Sequence, residues 1–146
     1  MMKIEETIVI QSPISKVFGF LSNYRSHKKF FANYKDARQL SKGKLGEGTE
    51  LFSKVIFLGR KIETNSKVTQ FVPEKQIALE SVSGPIPQNM EYRLDGNDEA
   101  TTVTLHYEVQ PGSFFNMDEV FLRPRFTDVV NKSLGNLKKL LEVKSA

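Results

Sequence analysis

The sequence predicts an α+β domain in which an antiparallel sheet curls around a long C-terminal helix. Residues 49–109 alternate apolar and polar side chains, and turn signals interrupt them every ~10–15 residues, with no helix-length segment between. From Arg125 to about Glu142 the pattern is that of an amphipathic helix. This helix is the only element long enough to cover one face of the sheet. We expect one domain over residues 1–146.

Two kinds of element precede the alternating segment. Residues 3–10 alternate and predict a first strand. Ser12 followed by Pro13 predicts a helix start, with the hydroxyl as N-cap and proline in the first turn. Apolar residues then recur with helical spacing: Ile14, Val17, Phe18 and Leu21. A second short helix is expected over residues 24–31.

Turn signals divide the alternating segment into strands of a meander. They fall at Leu58-Gly59, residues 71–74, residues 84–87 and residues 95–98. Pro111 and Gly112 then end the sheet.

An apolar segment leads from the sheet to Pro124 and the closing helix. It contains Phe114, Phe115, Met117, Val120 and Phe121. Together with Phe126 of the closing helix, Phe114, Phe115, Met117 and Phe121 suit a gate at a cavity mouth, a hydrophobic plug or a dimer contact, and the pattern does not separate these. One face of the closing helix is apolar: Phe126, Val129, Val130, Leu134, Leu137, Leu140 and Leu141. Ser133 interrupts this face.

One face of the predicted sheet mixes large apolar side chains with hydroxyls. On this parity lie Leu51, Ser53, Val55, Phe57, Ile62, Thr64, Ser66, Val68, Ile77, Leu79, Ser81, Ser83, Met90, Tyr92, Leu94, Val103, Leu105, Tyr107 and Val109. The other parity is mostly charged or polar. Because a covered hydroxyl needs a hydrogen-bond partner, the mixture favours the wall of a cavity over a dry core.

Several short motifs occur in a recognisable order along nearly the whole chain. They are residues 4–10 with Ser12-Pro13, Leu45–Thr49, Leu58–Arg60, Phe71–Pro73, Ser83–Pro85 and Ala100–Thr104. In this order they resemble the START-like superfamily, in its group of polyketide cyclase/dehydrase and lipid-transport proteins. Many relatives carry a tryptophan near the end of the second short helix, where this chain has Phe30 or Phe31.

The resemblance implies a helix-grip fold with a seven-stranded antiparallel sheet around a hydrophobic cavity. Members bind lipids, sterols, polyketides, plant hormones or quinones, and some catalyse cyclisation or dehydration. We expect apolar inner residues to bury such a ligand and inner hydroxyls to orient it. The candidate ligand-binding residues are Phe30, Phe31, Ser53, Val55, Phe57, Thr64, Ser66, Leu79, Ser81, Met90, Tyr92, Leu105, Tyr107, Phe115, Phe126, Val130 and Ser133.

Motifs for other chemistry are missing from the sequence. It has no cysteine, which excludes disulfides and Cys-ligated zinc, and no spaced ligand motif, so neither a metal nor a cofactor is expected. His106 falls on the outer parity and His27 lies beside Lys28, so we expect both histidines at the surface. The inner parity carries no Asp, Glu, Lys or His, and no catalytic residue is predicted.

Charge and hydropathy limit the partners. The net charge of +4 is spread along the chain, which argues against a nucleic-acid surface. No run approaches the ~20 apolar residues of an integral membrane segment, and no targeting segment is evident. We therefore expect a cytoplasmic protein whose partner is a small hydrophobic ligand, with a homodimer as a further possibility.

Three functions remain open from the sequence. The first is binding or transport of a small hydrophobic or amphipathic ligand, such as a lipid or polyketide, without catalysis. The second is a cyclase or dehydratase acting on a polyketide-like or aromatic substrate, with Tyr92 or Tyr107 as general acid. An inward-pointing His27 would favour this enzyme. The third is a regulatory domain that binds a partner, favoured by an interior below the ~300 Å³ of a typical ligand pocket.

Overall fold

A computed structural model describes residues 2–142, apart from the side chain of Ser113. The elements are β1 (Met2–Ile10), α1 (Ile14–Ser22), a 3-10 turn (Tyr24–Ser26), α2 (His27–Phe30), β2 (Tyr34–Gln39), β3 (Glu50–Phe57), β4 (Arg60–Val72), β5 (Gln76–Ser83), β6 (Gln88–Gly96), β7 (Thr101–Val109), α3 (Gly112–Phe115) and α4 (Glu119–Leu141). Residues 1 and 143–146 of the predicted domain lie outside the described residues.

The strands form one antiparallel seven-stranded sheet in the order β1-β7-β6-β5-β4-β3-β2. The first two strands of the chain therefore lie at opposite edges, and α1 and α2 connect them. The sheet curls around α4, which packs chiefly against β1 and also against α2. The predicted α+β helix-grip fold is confirmed. The alternation did not reveal β2.

The core lies between the inner face of the sheet and α4. The helix buries Leu122, Phe126, Val130, Ser133, Leu134, Leu137 and Leu141. Leu140, which we placed on this face, is 41% exposed. Ser83 also departs from its predicted inner position and is exposed. A register shift between Asn65 and Ser66 pairs Ser83 with the outward-facing Asn65, so the alternation breaks at this bulge.

The start of α4 lies six residues earlier than the sequence pattern indicated, at Glu119 instead of Arg125. Pro124 is therefore inside the helix. A proline here removes the donor to the carbonyl of Val120, a residue that is 88% exposed. Since water can satisfy a carbonyl at this exposed end, the helix tolerates the proline.

The start of α1 also differs from the prediction. Pro13, not Ser12, is the N-cap residue, and it makes no side-chain capping hydrogen bond. The N–H of Ile14 donates instead to the carbonyl of Asn97, at 2.9 Å, in the turn between β6 and β7. A tertiary contact thus replaces the predicted local cap.

Candidate functional site

A small interior cavity lies between the inner face of the sheet and the helices. Its larger lobe has a volume of about 30 Å³ and its smaller lobe about 20 Å³. The lobes share Tyr34, Ser53, Gln88 and Met90, so they are neighbours. One water needs about 10–15 Å³ on this scale. The interior therefore has room for a few water molecules at most.

The larger lobe reaches toward one end of the sheet. Its wall includes Phe57 at the end of β3, Ile62 near the start of β4 and Val109 at the end of β7. Ile86, from the connection between β5 and β6, completes this end. The loops at this end of the sheet therefore surround the mouth of the cavity.

Residues 111–116, which we call the lid, follow β7 and contain α3. Phe115 packs edge-on against Phe57, with ring centroids 5.3 Å apart. Phe57 in turn stacks on Phe126 at 4.1 Å. Because Phe57 and Phe126 both line the larger lobe, the lid packs directly on the wall of the mouth.

Arg60 attaches the lid to the hairpin between β3 and β4. Its guanidinium carbon lies 3.8 Å from the centroid of the Phe114 ring, and its Nη1 donates to the Phe114 carbonyl. Cation–π contacts at exposed positions contribute about 0.5–1 kcal/mol. The lid is thus held by one arginine and a small aromatic cluster.

A hydrogen-bonded chain of polar side chains crosses the inner face. Tyr107 Oη donates to Gln88 Oε1 at 2.6 Å, and Gln88 Nε2 donates to Thr64 Oγ1 at 3.3 Å. The backbone N–H of Gln88 donates to Ser81 Oγ at 2.9 Å. Gln88 therefore connects β4, β5 and β7 within the cavity wall.

All four tyrosines of the chain gather in the interior. Tyr24 and Tyr34 line the smaller lobe, and their hydroxyls lie 3.4 Å apart. Tyr107 lines the larger lobe, and Tyr92 lies deeper. Burial raises the pKa of all four phenols. They stay protonated at neutral pH and can each donate one hydrogen bond.

Within residues 2–142, the lining of the two lobes contains no charged side chain. Its polar groups are hydroxyls from tyrosine and serine and the amides of Asn33 and Gln88. A bound anion or cation would meet no opposite charge. The chemistry of the wall instead fits an uncharged polar group.

His27 is inside the protein, so our prediction of a surface position is wrong. It is 1% exposed and packs against Tyr24, Phe30 and Tyr92, with ring centroids 4.7, 5.0 and 5.5 Å away. Burial lowers the pKa of His27 to about 3. The imidazole is therefore neutral at physiological pH.

His27 and Tyr92 share an unusual property among the described residues. Both ring nitrogens of His27 and the hydroxyl of Tyr92 are buried there without a hydrogen-bond partner. Buried polar atoms without partners are costly. Tyr24 and Tyr34 contact His27 from the cavity side, so the pair lies one layer behind the lining.

Ten of the candidate residues line the cavity. They are Phe31, Ser53, Val55, Phe57, Ser66, Leu79, Ser81, Met90, Tyr107 and Phe126. Phe30, Thr64, Tyr92, Leu105, Phe115, Val130 and Ser133 lie outside this lining. On α4 the side chains facing the cavity are Phe126 and Val129, and the neighbouring Val130 is buried elsewhere in the core.

Other lining residues were missed by the sequence reasoning: Tyr24, Asn33, Tyr34, Ile62, Ile86, Gln88, Val109 and Val129. Gln88 shares the parity of Met90, so extending β6 by one alternation would have found it. Ile62 and Val109 were on the predicted inner face but not among the candidates. Tyr34 begins β2, the strand that the alternation did not reveal.

The outer face carries the other histidine, as expected. His106 is half-buried there, with Nδ1 3.1 Å from Glu5 Oε2 and Nε2 3.2 Å from Glu108 Oε1. In the part of the chain that the structure describes, no cluster of three His, Cys, Asp or Glu side chains is arranged to hold a metal ion. No helix in residues 2–142 is long and apolar enough to cross a membrane.

Solved structures of other proteins share this fold. A START superfamily protein from Mycobacterium smegmatis matches with a TM-score of 0.80 at 12% identity, over 96% of this chain and 97% of that one. A protein from Thermus thermophilus matches with a TM-score of 0.80 at 14% identity, over 96% of this chain and 97% of that one. The Zhui aromatase/cyclase from Streptomyces sp. R1128 matches with a TM-score of 0.72 at 15% identity, over 96% of this chain and 90% of that one. No curated relative matches the sequence.

At these identities, structural likeness establishes the fold alone. The match to a family model extends over almost the whole chain, whereas each motif of the sequence analysis covers only a few residues. The model described as polyketide cyclase/dehydrase and lipid transport covers residues 1–142. The chain therefore belongs to the polyketide cyclase/dehydrase and lipid-transport family.

Proposed function

We propose that this protein, as one domain, binds and carries a small amphipathic ligand in its interior cavity without transforming it. The family and the fold fit a hydrophobic ligand-binding domain. The observation that supports the ligand class is the uncharged, hydroxyl-rich lining within an apolar wall. We infer a largely apolar molecule with one or more hydrogen-bond-accepting oxygens.

The protonated phenols support this polarity. Tyr24, Tyr34 and Tyr107 each carry a hydroxyl whose pKa is raised by burial. A hydroxyl that stays protonated suits an acceptor such as a carbonyl or ether oxygen. An anionic headgroup would leave its charge without a counter-ion, a costly arrangement in a buried site.

Ligand entry requires the interior to widen. The larger lobe, at about 30 Å³, is well below the ~300 Å³ of a typical ligand pocket. The side chain most able to move is Met90, an unbranched residue shared by both lobes. The lid is the segment whose opening would enlarge the mouth. We therefore expect an induced widening on binding.

The test uses native mass spectrometry of the protein from its own host, then thermal shifts with a fatty acid, a sterol and an aromatic ketone. Ser53 lines both lobes, so Ser53→Val is expected to weaken binding of the active compound by about tenfold. Thr104→Val, on the outer face of β7, is the matched control. The proposal would be contradicted if the protein is recovered without a bound ligand and none of the three compounds raises its melting temperature.

The buried position of His27 favours a second candidate, an enzyme of the cyclase or dehydratase kind. Opening of the contact between Tyr24 and Tyr34 would relieve the burial that lowers the pKa of His27, so that the imidazole could act as a base and the Tyr92 hydroxyl as an acid. The name of the Zhui aromatase/cyclase points to such chemistry for that protein. Turnover of an aromatic polyketide-like substrate, lost in His27→Phe and retained in His106→Gln, would favour catalysis.

The small interior favours a third candidate, a regulatory domain that binds a protein partner. Side chains fill most of the space that a ligand would need. If no compound binds while native mass spectrometry shows a stoichiometric protein complex, this function replaces ligand carriage.

A further inference from the structure

The imidazole of His27 lies in a cage of aromatic rings. The ring centroids of its neighbours lie between 4.7 and 6.5 Å from its own: Tyr24, Phe30, Phe31, Tyr34 and Tyr92. Within residues 2–142, five buried side-chain polar atoms have no hydrogen-bond partner. Three of the five are the ring nitrogens of His27 and the hydroxyl of Tyr92. The unpaired polar atoms are thus concentrated in two side chains that pack against each other.

These three atoms add nothing to the packing of the cage. A phenylalanine at either position would fill a similar volume and leave no polar atom buried. A buried polar atom without a partner has given up its hydrogen bonds to water and gained none in return. A bound group that forms hydrogen bonds with the pair would therefore recover free energy that the folded protein has lost.

The pair lies directly behind the smaller lobe of the cavity. Tyr92 is two residues beyond Met90 on the same face of β6, about 7 Å along the strand, and Met90 lines both lobes. Tyr24 also lines the smaller lobe, and it packs on His27. The pKa of Tyr92 is raised chiefly by burial and also by the negative charge that Tyr24 would carry, because the two phenol groups are close.

The rings of Tyr24 and Tyr34 separate the smaller lobe from His27. Their hydroxyls lie 3.4 Å apart, longer than the distance of about 2.5–3.0 Å that is typical of O–H···O hydrogen bonds. The contact between these two hydroxyls is therefore weak. Because ligand entry requires the interior to widen, widening at this contact would bring a ligand to the unpaired atoms.

The chemistry of the pair selects an uncharged hydroxyl group. Burial lowers the pKa of His27 to about 3, so the imidazole has one N–H that donates and one bare nitrogen that accepts, whichever tautomer is present. The phenol of Tyr92 can donate or accept. A ligand hydroxyl can donate to the bare nitrogen of His27 and accept from Tyr92. A carbonyl or ether oxygen has no proton to donate and would leave the bare nitrogen unpaired.

We propose that His27 and Tyr92 form a polar subsite of the cavity, and that the ligand carries a phenolic or alcoholic hydroxyl at the end that is inserted first. This inference rests on the proposed carriage of a ligand. It adds a hydrogen-bond donor to the acceptor oxygens inferred from the cavity lining. In this subsite the imidazole selects the ligand by accepting a hydrogen bond.

Two probes of nearly equal shape test the subsite: phenol and toluene, which differ by a hydroxyl in place of a methyl group. NMR titration gives the dissociation constant of each probe, and the ratio of the toluene value to the phenol value measures the preference for a hydroxyl. This ratio should fall about tenfold in Tyr92→Phe, because the variant loses one hydrogen bond to the bound hydroxyl. The variant keeps the ring and breaks no hydrogen bond between described residues.

Tyr107→Phe is the matched control. The hydroxyl of Tyr107 already donates to Gln88, so its removal should affect the two probes alike and change the ratio by less than about twofold. A second measurement observes His27 itself. Its bare ring nitrogen should show the upfield ¹⁵N shift of a hydrogen-bond acceptor when phenol is added, and no such shift with toluene.

The outcomes separate this subsite from ligand carriage. Equal ratios in wild type and Tyr92→Phe, or a His27 ring signal that does not respond to bound phenol, would overturn the subsite and leave carriage standing. That result would indicate that the pair holds a water molecule permanently. If neither probe binds to wild type at millimolar concentration, the result would count against carriage and against the subsite with it.

Discussion

Ser133 Oγ accepts a hydrogen bond from the backbone N–H of Ala32, 101 residues earlier in the chain, at 2.9 Å. The same hydroxyl donates to the carbonyl of Val129 at 2.6 Å. The donor and the acceptor of this fully buried hydroxyl are thus both used, and the bond from Ala32 holds the segment after α2 against α4. The polar interruption in the apolar face of the closing helix is a structural tie near the cavity.

Replacing Ser133 by alanine should therefore lower the free energy of unfolding by about 1–3 kcal/mol, because it leaves the N–H of Ala32 without an acceptor. Urea unfolding followed by circular dichroism measures this. Ser22→Ala is the control, since Ser22 donates to the carbonyl of Phe18 in the same way within a helix. It should cost less than ~1 kcal/mol. Equal losses would contradict the assigned role of Ser133.

Two tyrosines of the interior should respond differently to loss of the hydroxyl. Tyr107→Phe removes the bond to Gln88 and should cost about 0.5–1.5 kcal/mol of stability. Tyr92→Phe removes a buried hydroxyl that has no partner among the described residues, so it should be neutral or stabilising. Urea unfolding of both variants at one pH gives the comparison. A larger loss in Tyr92→Phe would show that its hydroxyl is engaged.

The buried His27 should make stability depend on pH. Its pKa is lowered to about 3 in the folded protein, against ~6.5 in an unfolded chain. Between these values the unfolded chain binds more protons, so stability is complete above pH ~6.5 and falls as the pH drops toward 3. The slope attributable to His27 is at most about 1.4 kcal/mol per pH unit.

The pH dependence is measured by urea unfolding from pH 7 to pH 4 in wild type and in His27→Phe, which fits the aromatic surroundings. The variant should show a shallower fall in unfolding free energy. His106→Gln, on the outer face, controls for loss of a histidine elsewhere. If the unfolding free energies of His27→Phe and of wild type fall in parallel as the pH drops, the imidazole takes up its proton in the folded state.

Removing Arg60 should loosen the lid. Arg60→Ala loses both the stacking on Phe114 and the hydrogen bond to its carbonyl, so amide hydrogens of residues 112–116 should exchange about threefold or more faster. Arg38→Ala is the control, because Arg38 lies 4.6 Å from the ring of Phe52 in a similar contact far from the lid. Hydrogen exchange with mass spectrometry reads both variants. Unchanged exchange in Arg60→Ala would mean that the aromatic cluster alone holds the lid.

The sheet was predictable because each of its later strands has one covered face. Side chains from Leu51 to Val109 followed a period of two, and the hydroxyls on that parity, such as Ser53 and Ser66, do line the cavity. The alternation fails where the backbone inserts a residue. At Ser83 a bulge in β5, opposite Asn65 and Ser66, turns the side chain outward, whereas Val68 further along β4 keeps its predicted inner position.

The position of His27 was harder to predict for a different reason. Its neighbours Lys28 and Lys29 are exposed, and a polar side chain next to two lysines indicates a surface. Tyr24 and Phe30 lie one helical turn before and after His27, and this spacing indicates that His27 shares their buried face. In a helix of four residues, this spacing says more about burial than sequence neighbours do.

The pairing of β1 with β7 sets an order of events during synthesis. Ile4 lies opposite Tyr107, so the first strand of this domain must wait for the last one, β7, before its edge is paired. Contacts between distant residues are slow to form, and unpaired strand edges are prone to association. In the nascent chain, β1 thus stays exposed until translation has passed β7, the interval in which a chaperone would be most useful.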